Sequence, residues 1–184
     1  MRTPFSEANK AFSDAAHNAA QRLVYPHVFG VPPENLTFES TDLVDGERGR
    51  LLDGELAIDR IVKVTCLRFA HPFVFTVQER FRKVEFAKYR DITITEWNHN
   101  SGLPGELYKL TAGIFLYGYF DADRQKFQEA VAIATVPLLR ALAAGQVQYS
   151  RRTNPRTGQS FLCLTFNDLE KAQVVLFRGV SAPQ

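Results

Sequence analysis

The sequence predicts an α/β fold: a central mixed sheet, built around a β-meander and covered by helices on both sides. Three patterns carry this expectation. Apolar residues near the N-terminus recur at helical spacing. The period changes to two from residue 55 onward, and the strand-like runs are apolar on both sides of the pleat, as in sheets buried on both faces.

The opening segment places Phe5, Ala8, Phe12, Ala15, Ala16, Ala19 and Leu23 on one helical face, with Ser6 as cap and Glu7 in the first turn, where the helix dipole favours an acid. Pro26, Pro32 and Pro33 end this helix and begin a loop. "NLTFES" reads as a short strand, and "TDLVDGERGRLLDG" as a turn-rich, acidic connection. "ELAIDRIVKVTCL", "FVFTVQERFRKV" and "DITITEW" are then three β-branched or aromatic runs with short separations, the expected meander. "SGLPGELYKLTAG" supplies a helix start at Pro104 and a stop at Gly113, and "IFLYGYF" a further strand that buries Phe115, Tyr117 and Tyr119 on one face. In "EAVAIATVPLLRALAAG" a strand passes into a helix that begins at Pro137 and stops at Gly145. "QSFLCLTF" after the "NPRTG" turn is another strand, and Asn167 or Asp168 caps a last helix, "DLEKAQVV". A single domain spanning 1–184 is expected, with a core over 5–120 and a C-terminal strand and helix extension over 121–184.

Composition narrows the function. With 45% hydrophobic and 23% charged residues the chain can bury one ordinary core. It has no apolar run long enough to span a bilayer, and "MRTPFSEANK" lacks the apolar centre of a secretory signal, so a cytoplasmic location and no membrane partner are expected. The two cysteines, Cys66 and Cys163, read as buried free thiols, and four scattered histidines do not form a zinc motif. The G-x-S-x-G elbow, the GxxxxGK[ST] loop and the GxGxxG fingerprint are missing, which removes the usual parts of acyl transfer, nucleotide hydrolysis and hydride transfer. The net charge of +2 permits a polyanionic partner, and cations cluster at Arg80, Arg82, Lys83, Lys88 and Arg90 and again at Arg151, Arg152 and Arg156. Taken alone, each cluster also reads as a solvated face.

One acid, Asp59, interrupts an apolar strand, and Gln78-Glu79-Arg80 follows on the next. Alternation puts Gln78 and Arg80 on one face and Glu79 on the other, and pairing of the two strands brings Asp59 toward them. Burial of a lone carboxylate is costly unless a cation or a metal compensates it. Without a metal, Asp59 and Arg80 also read as a structural ion pair.

Asp59 followed by Gln78-x-Arg80 at the end of an apolar strand resembles the PD-(D/E)XK nuclease superfamily, whose restriction-endonuclease-like core runs helix, three-stranded meander, helix, strand. The likeness covers residues 5 to about 120, in the glutamine form seen in Mrr-like and some phage and mobile-element nucleases. It implies metal-dependent hydrolysis of DNA phosphodiester bonds. Asp59, Gln78 and the main-chain carbonyl of Glu79 would hold Mg²⁺ or Mn²⁺, hard ions that suit oxygen donors. Arg80 stands in the place of the motif lysine; always protonated, it can stabilise developing charge but cannot act as a base.

Lys83 is the nearest lysine, Glu7 the preferred acid from the first helix ahead of Asp14, and Glu55 lies on the expected Asp59 face. For the nucleic acid, Arg82, Lys83, Lys109, His99, Arg151 and Arg152 are the candidate contacts, although Lys109 also reads as the partner of Glu106 on an exposed helix face. A homodimer would supply the two sites that two-strand cutting needs. The alternative is a catalytically inactive module of the same fold that binds nucleic acid or a partner protein.

Overall fold

The computed structural model describes residues 7–41 and 46–179. The Ser6 cap and residues 42–45 of the acidic connection lie outside the described residues. The chain forms α1 (Glu7–Leu23), α2 (Tyr25–Phe29), β1 (Leu36–Ser40), α3 (Gly46–Gly49) continued by a wider helical turn (Arg50–Glu55), β2 (Arg60–Val64) and β3 (Phe73–Lys83). After a 3-10 turn (Val84–Tyr89) come β4 (Asp91–Asn98), β5 (Leu103–Pro104), a second 3-10 turn (Glu106–Tyr108), β6 (Ile114–Asp121) and β7 (Lys126–Ala134). The chain then continues through α4 (Thr135–Ala143), β8 (Ser150–Asn154), β9 (Gln159–Thr165), α5 (Phe166–Lys171) and β10 (Val175–Gly179).

The expected α/β class holds, but the strands divide into two sheets among the described residues. A mixed sheet has the order β1-β2-β3-β6-β7-β10, and a smaller one the order β5-β4-β9-β8. In the large sheet β1, β2 and β3 are antiparallel neighbours, while β6 runs parallel to β3 with Gln78 opposite Phe115 and Arg80 opposite Tyr117. β6 is buried over Ile114–Phe120 because both of its faces are covered. Ile114, Leu116 and Phe120 pack with Ala16, Ala19, Ala20 and Tyr25 of α1 and α2, whereas Phe115, Tyr117 and Tyr119 pack with residues of the small sheet, α4 and α5.

Three expectations about elements are corrected. The meander is β1-β2-β3, one strand earlier than expected, because the 3-10 turn and left-handed Arg90 (φ 51°) redirect "DITITEW" into the small sheet, where it pairs with β9. The stretch 101–113 forms no long helix: Leu103 and Pro104 pair with Asn98 and Trp97, and the Gly105 amide donates to the Glu96 carbonyl, which leaves only one 3-10 turn. The strand expected from Glu55 begins only at Arg60, since residues 50–55 are helical. Elsewhere, α4 carries Pro137 in its first turn and is followed by left-handed Gly145 (φ 69°). Thr165, rather than Asn167 or Asp168, caps α5, accepting from the Asp168 amide.

Residues beyond 121 are built into both sheets, β7 beside β6 and β9 beside β4. Both cysteines are free thiols; Cys163 is buried, and Cys66 is only half-buried, against expectation. Among the described residues no helix is long and apolar enough to cross a membrane.

Candidate functional site

Asp59 stands just before the first residue of β2. Its amide donates to the Val77 carbonyl at 3.0 Å, and its Oδ2 accepts from the Glu79 amide at 2.7 Å. The β2-β3 ladder stops at Arg60↔Val77, so the edge of β3 runs on past its partner and a carboxylate takes the place of the missing backbone. In an antiparallel ladder a residue's N–H and C=O share one edge, so the Glu79 carbonyl lies on the same edge as the amide that holds Asp59.

Alternation along β3 sorts the next side chains as the sequence predicts. Gln78 and Arg80 project toward the small sheet. There Gln78 Nε2 donates to Glu106 Oε1 at 3.1 Å, and Arg80 Nη1 donates to Glu106 Oε2 and, at 3.2 Å, to Thr95 Oγ1. Burial of Arg80 opposes its charge, but the carboxylate of Glu106, aided by Tyr117 and Asp59, more than offsets this and raises its pKa, so Arg80 stays cationic. A carboxylate only accepts hydrogen bonds, so Glu106 fixes Nε2 toward itself and turns Gln78 Oε1 away. That oxygen is buried and has no hydrogen-bond partner.

Glu79 faces α1. Its carboxylate, 6% exposed, accepts from the Tyr25 hydroxyl at 2.6 Å and from Arg60 Nε at 3.3 Å, and lies 2.9 Å from His17 Nδ1. Burial first, and then the Glu79 charge, hold the Tyr25 phenol well above its usual pKa. The Glu79 side chain is thus fully engaged in anchoring β3 to α1, and only its main chain is turned toward Asp59.

The other predicted residues are dispersed. Glu7 and Asp14 are exposed on α1, whose reach to β3 is through His17. Glu55 is exposed in the helical turn, so it does not share a strand face with Asp59 as expected, and Lys83 is exposed at the end of β3. Lys109 does not pair with Glu106; its Nζ donates to the Gly54 carbonyl at 3.2 Å. The Arg82 guanidinium lies 4.2 Å from the centre of the Phe86 ring and 3.5 Å from the Tyr117 hydroxyl. Arg151 makes a bidentate pair with Glu96 at 2.6 and 2.7 Å, and Arg152 lies 5.8 Å from the centre of the Tyr89 ring. His99 is exposed after β4, its amide bound to the Gly158 carbonyl.

Sequence reasoning missed Glu106. The available signal was its position directly after Pro104-Gly105, a tight turn that leaves an acid beside a strand rather than on an open helix face. It missed Arg60 as well, a half-buried charge at the start of a five-residue strand.

Among the described residues no group of three or more His, Cys, Asp or Glu side chains is placed to hold a metal ion. The oxygens at the β2–β3 step are of another kind: one carboxylate (Asp59), one buried amide oxygen without a hydrogen-bond partner (Gln78 Oε1) and one main-chain carbonyl (Glu79), all of them hard donors. No family model, curated protein or solved structure matches this chain.

Proposed function

We propose that the chain hydrolyses DNA phosphodiester bonds with Mg²⁺ or Mn²⁺, on a fold of the PD-(D/E)XK, restriction-endonuclease-like plan. The observation that carries this reading is Gln78 Oε1, a buried amide oxygen without a partner, held in that orientation by Glu106 on the strand whose edge binds Asp59. Leaving a buried acceptor unpaired costs free energy, and a ligand that needs an oxygen donor would repay it. The element order supports the fold reading: α1 is followed by an antiparallel β1-β2-β3 and then by β6 parallel to β3. The crossover carries β4 and β5 where that plan has a helix.

In this reading Asp59, Gln78 Oε1 and the Glu79 carbonyl hold the ion. When bound, the ion would lower the pKa of a water and neutralise charge on the phosphate. The chain's own part is orientation. The Glu79 amide fixes the Asp59 carboxylate, Glu106 fixes the Gln78 amide and the Arg80 guanidinium, and Arg80 supplies a permanent positive charge beside the phosphate. Arg82, Arg151 and Arg152 would meet the sugar–phosphate backbone.

A second reading is favoured by the Arg80–Glu106 ion pair, which engages the cation standing in the place of the motif lysine: a module of the same plan that binds nucleic acid without cutting it. Asp59→Asn separates the two, because asparagine can still accept from the Glu79 amide while losing its charge. The hydrolytic reading expects plasmid cleavage with Mg²⁺ or Mn²⁺, and a melting temperature raised by Mn²⁺. In Asp59→Asn, cleavage should drop at least about 100-fold and the Mn²⁺ shift should vanish. Retardation of DNA in EDTA with no cleavage under any divalent ion would leave the binding module. Protein that neither cuts nor retards DNA or RNA would sink both.

A further inference from the structure

The hairpin joining β2 and β3 carries an apolar ridge that neither core uses. Residues 67–74 are all exposed: Leu67 is 99% accessible, Val74 59%, Phe69 58% and Phe73 45%. The Phe69 and Phe73 rings meet edge to face at 5.0 Å, so the ridge is a supported surface rather than a scatter of single side chains. Its base is the last rung of the ladder, Val64↔Phe73.

Charge indicates what meets this ridge. Residues 61–78 contain no aspartate or glutamate. Lys63 is paired with Glu39 on β1, while Arg68 and His71 are exposed among the apolar side chains. Apolar tips beside an arginine and a histidine, on a hairpin whose own residues include no acid, suit a polyanion whose interior is apolar, which describes the stacked bases of a duplex between its phosphates. A bilayer is a weaker match, because one leucine and two rings bury little area compared with an interfacial anchor. The ridge also shares its two strands with the candidate site. From Arg60↔Val77 to Val64↔Phe73 the ladder advances four residues, or about 13 Å at roughly 3.3 Å each, comparable to about four base pairs at roughly 3.4 Å.

We propose that this hairpin tip is a wedge that enters duplex nucleic acid, Leu67 and Phe69 prying apart a base step while Arg68 and His71 meet the flanking phosphates. The wedge rests on the reading that the site acts on nucleic acid, and it commits that reading to a paired substrate opened near the point of attack. Hydrolysis itself is not required for it.

The test uses the full chain in EDTA with a 20-base-pair duplex carrying 2-aminopurine, whose fluorescence rises when its stacking is broken. Wild-type protein should raise the signal several-fold. Leu67→Ser and Phe69→Ser should abolish the rise and weaken duplex binding about tenfold, and Leu67→Met should retain both. Leu67 is almost fully exposed, so its replacement cannot act by unfolding the chain. An unchanged rise in Leu67→Ser overturns the wedge, as does wild-type protein that leaves the probe quenched. Leu67-dependent sedimentation with phosphatidylserine vesicles, without unstacking, overturns it in favour of a membrane surface. If Mg²⁺ gives no cleavage while the Leu67-dependent signal persists, the wedge stands and the hydrolytic reading fails.

Discussion

Gln78 donates through Nε2 to the carboxylate of Glu106 at 3.1 Å, and that contact decides where the amide oxygen points. With an alanine or a hydroxyl at 106 the amide could rotate and satisfy its oxygen elsewhere. With a carboxylate it cannot, because both carboxylate oxygens only accept. The same side chain holds Arg80, so one residue from a 3-10 turn orders two side chains of β3.

Replacement of Glu106 should therefore cost more in function than in stability. In Glu106→Gln the Arg80 guanidinium loses its counter-charge and Gln78 its enforced orientation, with little change in volume. Cleavage, or duplex binding if the chain only binds, should fall at least about tenfold. Urea denaturation should show a loss of about 1–2 kcal/mol, less than for a deeply buried pair because the Arg80 side chain is 33% exposed. A loss above about 4 kcal/mol with intact function would show that Glu106 serves the fold alone.

Gly105 controls how Glu106 arrives. A Cβ at Gly105 would lie 2.4 Å from the Thr95 carbonyl oxygen and 2.8 Å from the Glu96 carbonyl carbon, both backbone atoms of β4. Backbone in the middle of a sheet cannot step aside as a flexible side chain can. Gly105→Ala should cost about 2–3 kcal/mol by thermal or urea unfolding, and should lower activity in parallel with Glu106→Gln. A melting temperature equal to the wild type would mean that this turn is free to move.

Most of the large sheet was legible because its strands carry strong local signals. The uniformly apolar β6 announces a strand buried on both faces, the period of "FVFTVQERFRK" announces another strand, and the division of Gln78 and Arg80 from Glu79 follows from the pleat alone. What could not be read was decided by non-local contacts. "DITITEW" is as good a strand for either sheet, and it is assigned to the small one by pairing with β9, far away in sequence. "GLPGELYKL" has fair helix propensity, but Gly105 is pressed against β4 and the segment is held extended. Glu106 was hidden for the same reason: on a helix it would face Lys109, while on the turn it faces Arg80 and Lys109 reaches Gly54.

Two buried tyrosines, one in each core, set an alkaline limit on the fold. The Tyr25 phenol is held well above its usual pKa by burial and then by Glu79; Tyr119 is held up by burial, then by Tyr117 and Asp91. A pKa raised in the folded state means that, once the pH passes about 10, the unfolded chain sheds protons that the folded chain keeps. Stability is therefore unaffected below about pH 10, and above it falls by up to about 1.4 kcal/mol per pH unit for each tyrosine. Tyr25→Phe loses the hydrogen bond to Glu79 and starts lower at pH 7, yet its stability should decline with a shallower slope between pH 10 and 11.5. Equal slopes in wild type and variant, measured by urea unfolding, would show that Tyr25 ionises freely in the folded protein.

Gln78→Glu would install the acid that the PD-(D/E)XK pattern ordinarily has here, and the simple expectation is a better metal ligand. The geometry argues otherwise in the absence of metal, because the new carboxylate would stand against Glu106 where the Gln78 amide now donates. Two carboxylates at hydrogen-bond distance cannot both ionise cheaply, so one of them has its folded-state pKa raised. A raised carboxyl pKa binds a proton in the folded state that the unfolded chain releases, so stability falls as pH rises through the unfolded value of about 4 and levels off above the raised one. Gln78→Glu should match the wild type near pH 4 and be about 1–2 kcal/mol less stable at pH 8, with millimolar Mn²⁺ restoring the difference if the ion binds between Asp59 and residue 78. Restoration by Mn²⁺ in Gln78→Glu but not in the double variant with Asp59→Asn would tie the ion to both residues. A pH-independent stability difference would show that Glu106 and residue 78 do not share a proton, and that Arg80 alone neutralises the pair.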